Sequence, residues 1–348
     1  MFQVRKRSIG PGEPVFVVAE ISGNHNRDIK RALRIIDVAA DAGADAVKLQ
    51  TYTPDTITID SHRPEFVVRS GKDWKGKTLY QLYGEAYTPW SWHRKLFAHA
   101  KKRGLICFST PFDGTAVAFL ERIGNPIYKV ASFEVVDIPL LEAIGKTKKP
   151  VIMSRGMASI KEIALAIHTL KKFGTKDIVL LQCVSAYPAK PEDMNLATIP
   201  DMRRRFKTVV GLSDHSLLND VSIAAVGLGA SVIEKHLTLR RADRGPDSSF
   251  SLEPKEFAAL VASVRVAEHA IGKPRYEAGG DKGNIMFRKS LFVVRDIKKG
   301  ERFTPENIRS IRPGSGLAPK YYRRVLGKRA AMDISRATPL AQRHIRRR

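Results

Sequence analysis

Residues 211–251, GLSDHSLLNDVSIAAVGLGASVIEKHLTLRRADRGPDSSFS, hold or border two short apolar runs, Val209-Val210-Gly211-Leu212 and Ser231-Val232-Ile233. Each run ends in a histidine, Asp214-His215 in one case and Glu234-Lys235-His236 in the other. Residues 220–228 between them carry Val, Ile and Ala at helical spacing, so the unit reads strand, helix, strand, with both imidazoles at the carboxyl ends of parallel strands. Active sites of α/β folds lie at that end. Two neutral imidazoles side by side, with Asp214, Glu234, Asp243 and Asp247 nearby, can hold a divalent cation and leave positions open for water and substrate. Either histidine alone is equally an ordinary surface or hydrogen-bonded core residue, and the pair does not name the metal.

The same alternation runs outward in both directions. Residues 14–21 (PVFVVAEI) read as a buried strand, followed by Ser22-Gly23-Asn24-His25-Asn26 and a helix with Ala32, Leu33, Ile36, Ala39 and Ala40 in period. Residues 46–51 (AVKLQT) give a second strand with Lys48 and Gln50 on one face. Residues 54–91 form a long excursion rich in Gly, Pro and aromatics, expected to lie over the mouth of the fold. Further strands are expected at 106–112, 127–132, 150–156 and 178–187, with helices at 115–123, 138–147, 160–173, 195–205 and 254–271, Ser159 capping the third. With the two histidine strands the count is that of a (β/α)8 TIM barrel. Strand after strand ends in polar residues: Glu20, Lys48 and Gln50, Ser109-Thr110, Lys129 and Ser132, Ser154, Ser185, His215, His236. Helix capping accounts for the hydroxyls, but a lysine at the end of a buried strand is costly unless it meets an anion. Past Gly272 the texture changes, so we expect a catalytic barrel over 1–272, a Gly-rich charged linker over 273–287, and a small β-rich domain over 288–348.

The chain of 348 residues, 43% hydrophobic, has a net charge of +25. Basic clusters occur at Arg5-Lys6-Arg7, Lys101-Lys102-Arg103, Arg203-Arg204-Arg205, Arg323-Arg324 and Arg346-Arg347-Arg348. They are not interleaved with aromatics, and no nucleic-acid motif surrounds them, so a basic surface that draws in a small polyanionic substrate is the simpler reading. A non-catalytic nucleic-acid-binding barrel is the alternative from another class; it predicts salt-sensitive binding that does not respond to His215→Ala. No apolar run is long enough to span a bilayer, and no apolar segment follows the basic N-terminal residues, so a cytoplasmic location is expected. Cys107 and Cys183 lie in apolar runs and read as buried free thiols.

Two lysines, several hydroxyls and a histidine pair describe a site for a phosphate or carboxylate compound beside a cation. No Walker-type glycine loop is present, which disfavours a nucleoside triphosphate. The residues alone lead to metal-assisted aldol-type or lyase chemistry on a phosphorylated substrate.

The strings AEISGNHN, VKLQTYTPDTI, FSTPFD, KVASFEVVDIPLLE, MSRGMAS, QCVSAYP, GLSDHS, EKHLTL and GPDSSFSLEP resemble, in order and spacing, the sialic acid synthase family. The segment RKSLFVVRDIKKGERFTPENIRSIRPGSGL resembles that family's C-terminal antifreeze-like (SAF) domain. Within the family, GKTLYQLYGEAYTPWSWH and Ser185-Ala186-Tyr187 are closer to the pseudaminic acid synthases than to the N-acetylneuraminate synthases, in which an asparagine usually stands where Ser185 does. The resemblance implies condensation of phosphoenolpyruvate with an open-chain acylamino sugar, here 2,4-diacetamido-2,4,6-trideoxy-L-altrose. The runners-up are the neuraminate or legionaminate sugars; a purely structural antifreeze-like role is disfavoured by the small share of the chain that is SAF-like. It further implies that His215 and His236 bind Mn2+, with Mg2+ or Co2+ as alternatives. Lys48, Thr110, Lys129, Ser132, Ser154, Ser185 and Ser213 would hold phosphoenolpyruvate. Gln50, Tyr187 and Asp247 would contact the sugar with Glu134, the first choice to help deprotonate the attacking water, and Glu20 would lie near the aldehyde. Arg312 would be offered to the barrel of the other subunit in a domain-swapped homodimer. The missing asparagine leaves the contacts around Ser185 as the point where this chain departs from the neuraminate pattern.

Overall fold

Eight short apolar segments form parallel strands that close into a barrel: β1 (Phe16–Glu20), β2 (Ala46–Thr51), β3 (Ile106–Pro111), β4 (Tyr128–Val130), β5 (Val151–Ser154), β6 (Ile178–Cys183), β7 (Val209–Asp214) and β8 (Val232–His236), with β8 returning to β1. This computed structural model describes residues 2–69, 74–277 and 279–346. Nearly every strand residue is buried, as expected where helices cover one face of a parallel sheet and the barrel interior the other. The TIM-barrel architecture read from the alternation is therefore the observed one. The register of the strands levels their ends: His236 stands beside Glu20, Glu20 beside Lys48, Ser213 beside Glu234, and Asp214 beside Lys235.

The two ends of the barrel differ in chemistry. At the amino ends of the strands, an antiparallel pair of Phe2–Val4 with Arg7–Ile9 packs Phe2, Val4 and Ile9 into an interior cluster with Phe16, Phe108 and Leu181. That end is apolar and plugged. The polar and charged strand residues therefore collect at the carboxyl ends, where the mouth opens.

The helices begin on residues suited to the task. Asp28, Asp113, Asp137 and Ser159 each accept a hydrogen bond from a backbone amide of the following helix, and Ser159 with Glu162 completes a capping box. The helix expected over 195–205 begins at Thr198 instead, since Asn195 takes a left-handed φ of 45° that ends regular structure before it. The excursion at 54–91 contains the helices Pro54–Ile57 and Leu79–Ala86, the second opened by a Thr78–Gln81 capping box. Positions 70–73 of the excursion lie outside the described residues.

A second compact unit, Lys273–Arg348, follows. It pairs β9 (Ser290–Val293) antiparallel with β10 (Ile308–Ile311) over a core that includes Leu291, Val293, Phe303, Ile308 and Leu340. Its one α-helix among the described residues is the four-residue Tyr322–Val325. Of the basic end, Arg347 and Arg348 lie outside the described residues.

Candidate active site

The carboxyl ends of the barrel strands surround a cavity of about 360 Å3. Its floor is set by strand periodicity, since residues two apart share a face. Lys48 and Gln50 on β2 point into it, as do Glu234 and His236 on β8 and Ser213, followed by His215, on β7. Lys129, Ser132, Ser154, Tyr187 and Asp247 complete the polar lining.

Charge is concentrated below that floor. Lys48, 4% exposed, places Nζ 2.7 Å from Glu20 Oε2 and 3.6 Å from Glu234 Oε1, and donates to Thr110 Oγ1 at 3.2 Å. Lys129, 2% exposed, places Nζ 3.6 Å from the same Glu234 oxygen and donates to Ser154 Oγ at 2.8 Å. Ser213 Oγ also donates to Glu234 Oε1, at 3.2 Å. Glu234 is thus a hub shared by two ammonium groups, and one of its oxygens, Oε2, is buried without a hydrogen-bond partner among the described residues. Burial alone would raise its carboxyl, but Lys129 and Lys48 outweigh that and hold it below the usual range. Burial raises Glu20 despite Lys48 beside it, and burial lowers Lys129. Lys48, caught between two carboxylates, is shifted upward against the burial cost. The pattern is one of lysines desolvated and poised at strand ends, with Ser132 and Ser185 sharing a hydrogen bond of 2.7 Å close by.

The imidazoles form the other pole. The rings of His215 and His236 lie 5.3 Å apart between centroids. His215 Nδ1 donates to the Val184 carbonyl at 2.8 Å, which orients the ring and, in its neutral form, sets the tautomer that carries the lone pair on Nε2. His236 Nδ1 is buried with no partner among the described residues, and burial followed by the charge of His215 pushes this ring well below the ordinary histidine range, so it stays neutral. Burial opposes protonation of His215 as well, but contact with Cys183 at 4.0 Å and the Val184 carbonyl tilt it upward. An orphaned, neutral imidazole beside a second one oriented through its back nitrogen fits a divalent cation. No group of three or more His, Cys, Asp or Glu stands in metal-holding geometry among the described residues, so two imidazoles would leave the remaining positions to water and substrate.

Two of the carboxylates near the histidines in sequence are committed elsewhere. Asp214 is fully buried against Lys235 at 2.7 Å and accepts from Ser222, on the outer face of the strands. Asp243 pairs with Arg31 at 2.5 Å. Asp247 does line the cavity, held by the Gly23 amide at 2.9 Å and by Ser22. Burial raises its carboxyl.

Thirteen residues singled out from sequence form or directly support the cavity: Lys48, Gln50, Lys129, Ser132, Ser154, Tyr187, Ser213, His215, His236 and Asp247 line it, and Glu20, Thr110 and Ser185 are bonded to lining residues. Glu20 lies one layer below, fully buried, and accepts from Gln50 Nε2 at 3.1 Å. Glu134 sits beside the lining residue Phe133, with Oε2 buried and unpartnered, and burial raises its carboxyl to about 7. Arg312 belongs to the second unit, immediately after β10. Sequence reasoning left out Ser22, Tyr52, Val68, Trp74, Leu79, Leu82, Tyr83, Ala86 and Cys183 as lining residues, and counted Glu234 only as a nearby carboxylate. Glu234 was reachable from its position two before His236. Both cysteines are buried free thiols, as expected.

A model of the NeuB family matches residues 35–276, and one of the SAF domain matches residues 288–346. The chain is 44% identical over 329 residues to a pseudaminic acid synthase of Campylobacter jejuni subsp. jejuni serotype O:2, covering 94% of this chain and 96% of that protein. It is 41% identical over 337 residues to a pseudaminic acid synthase of Helicobacter pylori, covering 96% and 99%. Among solved structures, the N-acetylneuraminic acid (sialic acid) synthetase of Leptospira borgpetersenii serovar Hardjo-bovis in complex with citrate superposes with a TM-score of 0.73 at 34% identity, over 81% of this chain and 94% of that one.

Proposed function

The chain belongs to the NeuB family, and from that premise we propose that it is a pseudaminic acid synthase, joining phosphoenolpyruvate to 2,4-diacetamido-2,4,6-trideoxy-L-altrose to give a nine-carbon 2-keto sugar acid and phosphate. The observation that carries this reading is the two-pole cavity, with Lys48 and Lys129 meeting at Glu234 on one side and two imidazoles 5.3 Å apart on the other.

On this reading Lys48, Lys129 and the hydroxyls of Thr110, Ser132, Ser154, Ser185 and Ser213 hold the phosphate and carboxylate of phosphoenolpyruvate. Buried lysines with fixed hydroxyl partners suit an incoming polyanion, because their charges are already desolvated and oriented. Gln50, Tyr187 and Asp247 orient the sugar; burial keeps the Tyr187 phenol protonated and able to donate. His215 and His236 would hold a divalent cation, Mn2+ being the expected ion, which would supply Lewis acidity toward the aldehyde oxygen. C3 of phosphoenolpyruvate forms the new bond to the aldehyde carbon as the carbonyl π bond opens and its oxygen takes a proton from water to become a hydroxyl, and the positive charge moves to C2. Glu134 takes a proton from the water that adds there. The resulting hemiketal phosphate loses inorganic phosphate and becomes the ketone. Because the substrate already carries the enol, no strong base is required to make the nucleophile. Arg312 serves the barrel of a partner subunit in a domain-swapped homodimer, and the enzyme works in the cytoplasm, where phosphoenolpyruvate is made.

Phosphate release from purified protein, Mn2+ and phosphoenolpyruvate, measured with each candidate sugar, tests the assignment. Turnover of the trideoxy altrose sugar with one phosphate per keto acid is expected. Turnover of N-acetylmannosamine alone would assign the neuraminate reaction instead.

A further inference from the structure

The helix Leu79–Ala86 carries Leu79, Leu82, Tyr83 and Ala86 at positions i, i+3, i+4 and i+7, a single apolar stripe. Such a stripe normally faces a core, yet none of the eight residues is fully buried. All four stripe residues instead line the cavity, joined there by Val68 and Trp74.

The wall is built, not merely draped. Trp74 Nε1 donates to the Pro246 carbonyl at 2.9 Å, and its ring meets Phe250 edge-on at 6.3 Å and Tyr187 at 5.9 Å. Tyr83 packs edge-on against Tyr52 at 5.6 Å. The backbone of Val68 is bonded both to Lys77 and to Gly76, each at 2.9 Å. A fixed apolar surface lines the cavity that also holds the lysines and histidines, so what covers the stripe is the substrate.

We infer that Leu79, Leu82, Trp74 and Ala86 determine specificity for the sugar, selecting one whose exposed edge carries methyl groups, from a deoxy carbon and from acyl substituents, in place of hydroxyls. This rests on the condensation reaction proposed above and adds to it which sugars the site accepts. A hydroxyl laid on Leu79, Leu82 and Ala86 loses its water partners and finds no donor or acceptor on those side chains, whereas a methyl is removed from water into matching surface.

The test compares kcat/KM for two sugars that differ only at C6, the trideoxy altrose derivative and its counterpart with a 6-hydroxyl, in the parent enzyme and in Leu82→Thr and Ala86→Ser. The parent is expected to favour the deoxy sugar roughly 10-fold or more, the range one apolar group commands in such a pocket. Each variant should shrink that ratio, mainly through the KM of the deoxy sugar, with the KM for phosphoenolpyruvate held. Ala86→Ser adds a single oxygen and guards against a folding defect in the other variant. Turnover of both sugars with a ratio that neither variant moves overturns this inference alone. Phosphate release with neither sugar overturns the proposed reaction and this inference with it.

Discussion

Glu134 has a carboxyl raised to about 7 by burial, with one oxygen lacking any partner. A carboxyl in that state is protonated below about pH 7 and becomes a base above it, so turnover should rise through that pH and level off. In Glu134→Gln the rising limb should vanish along with most of the activity, as a pH–rate profile of both proteins would record; an unchanged limb would assign it to another group. The linkage has the opposite sign for stability. The folded chain holds this proton more tightly than the unfolded one, so the contribution is fully present below the ordinary carboxyl pKa and is lost as pH rises through about 7. At this scale the sequence was informative where strand periodicity sufficed: Lys48, Gln50, His215 and His236 all follow from apolar runs that end in polar residues. It was uninformative where the partner is distant. Asp243 stands seven residues after His236 and pairs with Arg240 three residues before it, but it also pairs with Arg31, and nothing local to either residue announces that second pair.

At the scale of elements, β7 and β8 must approach closely to bring their terminal imidazoles together, and Gly211 is the position that allows it. A Cβ there would lie 2.4 Å from the Val232 carbonyl oxygen and 2.7 Å from a Leu181 methyl. Backbone on one side and a packed strand on the other leave no room to yield. Gly211→Ala is expected to destabilise the barrel by about 1–3 kcal/mol, measured by denaturant unfolding, and to weaken activity by displacing β8. Stability within error of the parent would show that the strands can separate without cost. The barrel strands and most helices were legible because each is a short apolar run bounded by caps and turns. The helix Leu79–Ala86 shows its stripe in the sequence too. What the sequence withholds is that the stripe faces a cavity, since periodicity reports a face and not what lies opposite it.

For the whole molecule, the net charge of +25 lies in the surface clusters, because the buried Lys48, Lys129 and Lys235 are matched by Glu20, Glu234 and Asp214. Such a field favours the approach of a small polyanion to the molecule. If Arg312 of each chain serves the barrel of its partner, two inactive variants should complement each other. Mixing and reassociating Arg312→Ala with His236→Gln pairs an intact barrel with an intact Arg312 in half of the dimers, restoring about a quarter of the parental activity. No recovery, with dimer exchange verified by mass, would place Arg312 outside the partner's site.

The imidazole pair is the point on which the proposed chemistry turns. We would measure keto acid formation and bound Mn2+ in His236→Gln, with folding checked by circular dichroism and Mn2+ restored after chelation. The expected result is loss of stoichiometric metal and a fall in rate of about a hundredfold to a thousandfold, the scale seen when an electrophilic group at the reacting carbonyl is removed. A folded variant that still makes keto acid at the parental rate, with or without the ion, would contradict it.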